Sequence, residues 1–281
     1  MLAWQLSMTA LSTYVLATNT NPFIWIPFAF VQGFTVFNYT VMLHEVVHSA
    51  VFVKQRPGWM RFLALLYSIP SGISATQFTR WHLDHHNELG SPTDDPKRYH
   101  LSPKRNARWY KALYFSPALF PIYFRAAKRE SANYPEEMQA ADRLGAARGA
   151  RLPPRDRDHA AGDRLADGAA GHIVPVFLVF PIAFALNRLG QHYYIHPEDP
   201  AQWSTLVRAN PFWRVAFLNS SYHLEHHYYP GVPLYHLHQA HRLLQPFFRH
   251  RGMKAVGYGR LLWGWLVRNG KPHTDWYQSL S

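Results

Sequence analysis

With 281 residues, 48% hydrophobic and 16% aromatic, the chain holds ample material for a core. Its 18 histidines and lack of cysteine exclude disulfides, thiolate metal sites and iron–sulfur clusters, so any metal must be held by nitrogen and oxygen. The net charge of +12 rests on charged residues that are only 16% of the sequence, with no nucleic-acid-binding module among them; a membrane surface, not nucleic acid, is the expected partner.

From Met1 to Leu43 no residue is charged, and Thr18-Asn19-Thr20-Asn21-Pro22 divides the run into two apolar stretches, about Leu2 to Ala17 and Pro22 to Leu43. Each is close to the roughly 20 residues that cross a bilayer, which predicts a membrane hairpin. A cleaved signal peptide competes with that reading, but it needs a basic leading region, and the first Lys or Arg is Lys54. The second stretch leads straight into His44 and His48. Beyond a basic turn, Trp59 to Phe78 is apolar but broken by Pro70, Ser71 and Gly72, which fits a bent span, a re-entrant pair or an interfacial helix. A second cluster, His82, His85 and His86, follows. Next come a loop rich in Pro, Asp and basic residues (Asn87 to Arg108) and a weak span, Trp109 to Phe124, interrupted by Pro117 and Pro121.

The segment 140–171 departs from its neighbours: Ala, Arg, Asp and Gly dominate, aromatic residues vanish, and Pro153-Pro154 breaks any helix. It reads either as a cytoplasmic loop or as a stretch translated in a shifted frame, which the nucleotide sequence would settle. Apolar character returns at Ile173 to Leu186, followed by Asn187, Arg188 and His192. A third cluster, His223, His226 and His227, lies in an amphipathic, basic C-terminal part with packing or interfacial stretches at Leu243-Leu244 and Leu261 to Val267. Lys54, Arg56 and Arg61 follow the first cluster and Lys97, Arg98, Lys104, Arg105 and Arg108 the second, so both are expected on the cytoplasmic side. For the third to join them, the chain between must cross the bilayer an even number of times, though only one convincing crossing is visible.

The histidines carry the chemistry. Spacings of three and four residues put each cluster on one face of a helix, and imidazole is the commonest side-chain metal ligand. His44-Glu45-Val46-Val47-His48 alone could bind zinc with Glu45 as general base, as in an intramembrane metalloprotease. Such a site has no use for two further triplets. Eight imidazoles exceed what one metal accepts with a position left open, so two metals are implied. Imidazole suits iron, copper, nickel and zinc alike, but beside a bilayer, where substrates are alkyl chains, redox-active iron with dioxygen is the chemically useful choice. The second and third clusters match closely: Trp81-His82-Leu83-Asp84-His85-His86 and Tyr222-His223-Leu224-Glu225-His226-His227. The acid before each His pair, Asp84 or Glu225, is placed either to orient a ring N–H or on a solvated helix face. Tyr229-Pro230-Gly231-Val232-Pro233 then stops the third helix. His196, His236, His238, His241 and His250 share no one-face spacing with the clusters and read as solvated or interfacial.

At these residues the chain resembles the membrane fatty acid desaturase family, whose boxes His-x-x-x-His, His-x-x-His-His and His-x-x-His-His hold a non-haem diiron centre. Asn219 to Pro233 is the most specific match, and Asn87 to Pro96, ending Asp94-Asp95-Pro96, resembles the stretch after the second box. The likeness covers about Pro22 to Pro135 and Ile173 to Leu243, the segment 140–171 being the departure. The resemblance implies an all-α integral membrane bundle, one domain over 1–281, with a cytoplasmic histidine-rich cap. Two irons would be held by His44, His48, His82, His85, His86, His223, His226 and His227. His192 is carried over from the family's ninth imidazole, with Glu45, Asp84, Asn187 and Glu225 in support. The implied activity is insertion of a double bond into the acyl chain of a fatty acid or lipid, as acyl-lipid or acyl-thioester, using O2. With no cysteine, dinucleotide fingerprint or haem segment, electrons would come from a ferredoxin or cytochrome b5. A lipid or carotenoid hydroxylase or ketolase would use the same scaffold, and a membrane protein that only stores or senses metal is the non-catalytic alternative.

Overall fold

The computed structural model describes residues 1–91, 93–103, 105–137, 139, 159–193, 195–196 and 199–271. Among them the chain is helical, with one isolated bridge, Val207 to Val256, in place of any sheet. Helices α1 (Leu2–Thr18) and α2 (Pro22–Val47) form the expected hairpin. Asn21 caps the second, its side chain accepting from Phe23 N–H at 3.0 Å, and Pro22 sits at the first helical position, where no N–H is needed. The two helices meet through polar groups that satisfy one another away from water: Ser12 on Gln32, Thr9 with the Tyr39 hydroxyl at 3.1 Å, and Gln32 donating to Thr13 at 3.3 Å. Among the described residues α2, at 26 residues, is the one helix long and apolar enough to cross a membrane.

The apolar stretch Trp59 to Phe78 is two helices rather than one. Helix α3 (Pro57–Ser68) ends before Pro70, Gly72 takes a left-handed φ of +67°, and Ser74 caps α4 (Ala75–Asn87) by accepting from Gln77 N–H. The weak span is likewise divided, into α5 (Arg108–Ala112) and α6 (Leu119–Ser131), with Pro117 at the break. Helix α7 (His159–His192) runs 34 residues despite Pro175 and Pro181. The apolar stretch from Ile173 therefore continues a helix begun inside the Ala/Arg-rich segment, whose residues 140–158 lie outside the described ones; so does the reading of them as a loop or shifted-frame stretch. Short helices α8 (Pro211–Ala216) and α9 (His223–Tyr228), the amphipathic α10 (Leu234–His250) and α11 (Tyr258–Leu262) complete the chain.

Helices α2 and α7 form the spine, running in the same direction. Gly33 lets them touch: a Cβ there would lie 2.4 Å from Val179 Cβ. Phe37 packs edge-on to Phe180 and Phe217 at 5.9 and 5.8 Å. Val36, Leu43, Ala183, Phe217, Leu237 and Leu261 are buried around that seam. The outer faces are apolar too, with Trp4, Leu11, Phe23 and Phe30 on the hairpin, Phe62 and Leu65 on α3, and Phe177 and Leu178 on α7 all exposed. So many exposed large apolar side chains on helices fit surfaces that meet lipid or protein.

Candidate metal centre

Because α2 and α7 run together, their C-terminal ends fall at one level. His44 is in the last turn of α2, His48 is its C-cap, and His192 is the last residue of α7. Two helix C-termini, each the negative end of a dipole, thus point at one volume, which favours a cation there. Helix α4, ending at Asn87, brings His82, His85 and His86, and the six-residue α9 brings His223, His226 and His227. All nine rings converge.

They sort into two groups, and the boxes interleave. His44, His48, His82, His86 and His226 have ligand atoms within 4.8 Å of one another, as do His85, His192, His223 and His227. The second box is therefore split, as is the third. Within the first group, Nε2 separations are 2.7 Å (His48 to His82), 3.0 Å (His82 to His86) and 3.2 Å (His86 to His226). In the second, His192 Nε2 lies 2.9, 3.0 and 3.2 Å from those of His85, His223 and His227. A neutral imidazole has one N–H and one lone pair, so His192 cannot hydrogen-bond to three rings through one nitrogen. A shared ion accounts for the pattern: ligands about 2.1 Å from a metal and at right angles stand about 3.0 Å apart. His44 Nε2 is buried with no protein partner among the described residues, as a ligand atom would be. An all-nitrogen set disfavours magnesium and calcium and suits a first-row transition metal.

The surroundings keep the rings neutral, the form that binds metal. Burial, then the charge of Lys97, holds His82 and His85 well below the ordinary imidazole range; burial and neighbouring rings do so for His223, His226 and His227. His48 is pushed down to about 4 and His86 to about 3, chiefly by burial. Three rings are oriented from behind. His85 Nδ1 donates to the buried carboxylate of Asp95 at 2.8 Å, and His192 Nδ1 to the Trp203 carbonyl at 3.0 Å. The Lys97 amine is 2.8 Å from His82 Nδ1. Burial, with Arg188 nearby, lowers the Lys97 pKa, and the Asp95 carboxylate opposes that shift. For His85 and His192 the Nε2 lone pair is left facing the cluster.

The four supporting residues expected from the sequence make no hydrogen bond to the nine rings among the described residues, though Asn187 lines the cavity beside them. Asp84 accepts from the Tyr134 hydroxyl, and Glu225 pairs with His241 Nδ1. Asn187 donates to Ser220 at 2.9 Å and accepts from Gln191 at 2.8 Å. Glu45 accepts from Leu234 N–H at 3.0 Å, not placed as a base on metal-bound water, which removes the protease arrangement. Sequence reasoning missed Asp95, Lys97 and the Trp203 carbonyl; the one signal was the acid pair before Pro96. His241, read as solvated, is half-buried on Tyr222 and Glu225, while His236 and His250 are exposed.

A cavity opens onto the rings of His44, His82, His223 and His226. Phe37, Val41, Ile73, Phe78, Leu234 and Leu237 make it largely apolar, with Asn187, Gln191 and Ser220 as a polar strip. An alkyl chain fits the apolar walls, while Lys97 and Arg188 add charge at the polar side.

The sequence profile described as fatty acid desaturase matches residues 20–258. Over 225 residues the chain is 26% identical to the sphingolipid delta(4)-desaturase/C4-monooxygenase DES2 of Homo sapiens, covering 75% of this chain and 62% of that protein. The sphingolipid delta(4)-desaturase DES1 of Xenopus tropicalis is 30% identical over 78 residues, 25% of this chain and 24% of that one. The corresponding DES1 of Homo sapiens is 36% identical over 53 residues, 18% of this chain and 16% of that one.

Proposed function

The chain belongs to the fatty acid desaturase family, and from that premise we propose that it is a membrane-bound diiron oxidase that inserts a double bond into the alkyl chain of a lipid. The observation that carries the reading is the sorting of nine imidazoles into two groups beside an apolar cavity. His44, His48, His82, His86 and His226 would hold one iron and His85, His192, His223 and His227 the other. Bound iron supplies reductive activation of O2, which no side chain here can perform. The net reaction consumes the saturated chain, O2, two electrons and two protons and yields the alkene and two waters. The electrons would come from a ferredoxin or cytochrome b5.

The protein's own residues supply position and dryness. Phe37, Val41, Phe78 and Leu237 would grip the chain by dispersion and exclude water, fixing which methylenes face the rings. Asp95 and the Trp203 carbonyl hold His85 and His192 in one tautomer, so the rings need not reorganise as charge changes. The exposed apolar belt and the α1–α2 hairpin support integration in the bilayer, with α2 crossing it. The basic residues after the first two boxes favour the cytoplasmic side for the rings.

Hydroxylation stays as a second reading, because a relative is named a desaturase/C4-monooxygenase; that net reaction would give the alcohol and one water. Both readings, and the lipid itself, are tested together. Expression in a desaturase-deficient host, with profiling of fatty acids and sphingoid bases and an iron assay, should give a new unsaturated or hydroxylated product and two irons per chain. His226→Ala should abolish the product. Purified wild-type protein without iron, or wild-type product from that variant, overturns the proposal.

A further inference from the structure

Arg188 has no role in the centre just described, yet it is placed where a substrate would meet it. It sits one helical turn before His192 on α7 and lines the cavity that opens onto the rings. It also lines a second cavity, walled by Tyr114, Leu189, Tyr193 and Trp265; Arg188 and Phe184 are common to both and form the partition. Among the described residues its one hydrogen bond is long, 3.4 Å to the neutral Gln191 Oε1. The nearest influential acid, Asp95, is engaged by His85 Nδ1 at 2.8 Å and by the N–H groups of Lys97 and Arg98 at 2.9 and 3.3 Å. Among the described residues neither cavity is lined by Asp or Glu, whereas Arg188 and Lys97 both line the larger.

A half-buried guanidinium that lines two cavities with no carboxylate on its fork among the described residues has donors free for a ligand. Its five donors in a planar fork match the oxygens of a carboxylate or phosphate. We propose that Arg188 is the head-group anchor of the substrate site: it binds the anionic oxygens of an acidic amphiphile whose tail lies along Phe37, Val41, Phe78 and Leu237. The inference rests on the reading of the larger cavity as the lipid tunnel and narrows it, from any lipid to one with a carboxylate or phosphate near the oxidised carbons. Neutral alcohols and amides of equal length would offer the fork no anionic oxygen and leave its donors unmatched in the cavity wall.

The test is equilibrium binding of radiolabelled palmitate, hexadecyl phosphate and hexadecanol to the full chain in lipid nanodiscs, with iron content measured on the same samples. Wild-type protein should bind palmitate or hexadecyl phosphate at least about tenfold more tightly than hexadecanol. Whichever acid is preferred identifies the head group. Arg188→Gln should bring the acids to the level of hexadecanol without moving hexadecanol or iron, and Arg188→Lys should keep part of the preference. Equal binding of all three by wild-type protein overturns the anchor, as does an equal loss of acid and alcohol binding in Arg188→Gln. Should that variant not fold, the wild-type comparison decides alone. Failure of the oxidase reading would show separately, as missing iron with the head-group preference intact.

Discussion

Asp94 and Asp95 are neighbours in sequence with opposite surroundings, and the contrast gives a sharp test of how the centre is held. The Asp94 side chain is exposed and meets only Ser91 and Thr93. Asp95, 3% exposed, accepts from His85 Nδ1 at 2.8 Å and from Lys97 N–H at 2.9 Å. Asp95→Ala removes the group that orients His85, a residue of the second imidazole group and not of the first. Loss of such an orienting partner costs about 10- to 100-fold in metal affinity, or about 1.4–2.7 kcal/mol. The His85 and Lys97 N–H groups left bare add about 1–3 kcal/mol each to the loss of fold stability, less what entering water recovers. Asp95→Asn keeps an acceptor and should fall between. The assay is iron retained per chain across a chelator series, with thermal denaturation in parallel. Asp95→Ala should surrender one iron at about 10- to 100-fold less chelator while the other stays at its wild-type threshold, and Asp94→Ala should match wild type. If both irons leave Asp95→Ala together, or if both acids behave alike, the orienting role is wrong.

Acidity should act through the imidazoles. Their folded pKa values lie below the ordinary 6.5, with His48 near 4 and His86 near 3. The unfolded chain therefore takes up protons first, and stability present above about pH 6.5 falls as pH drops toward those folded values, by up to about 1.4 kcal/mol per pH unit for each such ring. Urea denaturation of metal-depleted protein at pH 7.5, 6.5 and 5.5, chosen as round values around that range, checks this; stability that is flat or rises toward acid contradicts it. Gly33→Ala should separate α2 from α7, since its Cβ would meet Val179 Cβ at 2.4 Å and the Pro175 carbonyl at 3.1 Å. Overpacking of this kind costs about 1–3 kcal/mol, read as a lowered melting temperature, whereas Gly58→Ala, with nothing within 4 Å, should be neutral or slightly stabilising.

Spacing makes the eight box histidines legible, because a turn of helix has a fixed period and ligands on one face must follow it. What spacing does not carry is the direction in which each helix is packed. Asp84 and Glu225 hold equivalent places in their boxes, yet α4 turns its acid to Tyr134 and α9 turns its own to His241. Asp95 reaches His85 only because the chain after α4 folds back, so its identity as the orienting acid is a tertiary fact with a faint local sign. The break in Trp59 to Phe78 is readable at Pro70 and Gly72, and Ser74 marks where the second helix starts. The start of α7 is hidden, since Ala- and Arg-rich sequence can be helical without any apolar face to declare it.

The interleaving of the boxes has a consequence for how the protein holds itself together. Each proposed iron draws ligands from three separate elements: α2 and its cap, α4 and α9 for one, and α4, α7 and α9 for the other. Helices α4 and α9 serve both. Neither is anchored by length, since α9 has six residues and α4 thirteen, below what is stable in isolation. The protein's own contacts on α9 are the packing of Leu224 and the pairing of Glu225 with His241. The Nδ1 atoms of His226 and His227 are buried with no partner among the described residues, so the third box has little polar support of its own there. The ions would therefore bind the folded arrangement and not the open chain, so every tenfold rise in free iron above its dissociation constant should stabilise the fold by about 1.4 kcal/mol per site. The spine of α2 and α7 sets where the centre is, and bound metals would tie the two short helices to it.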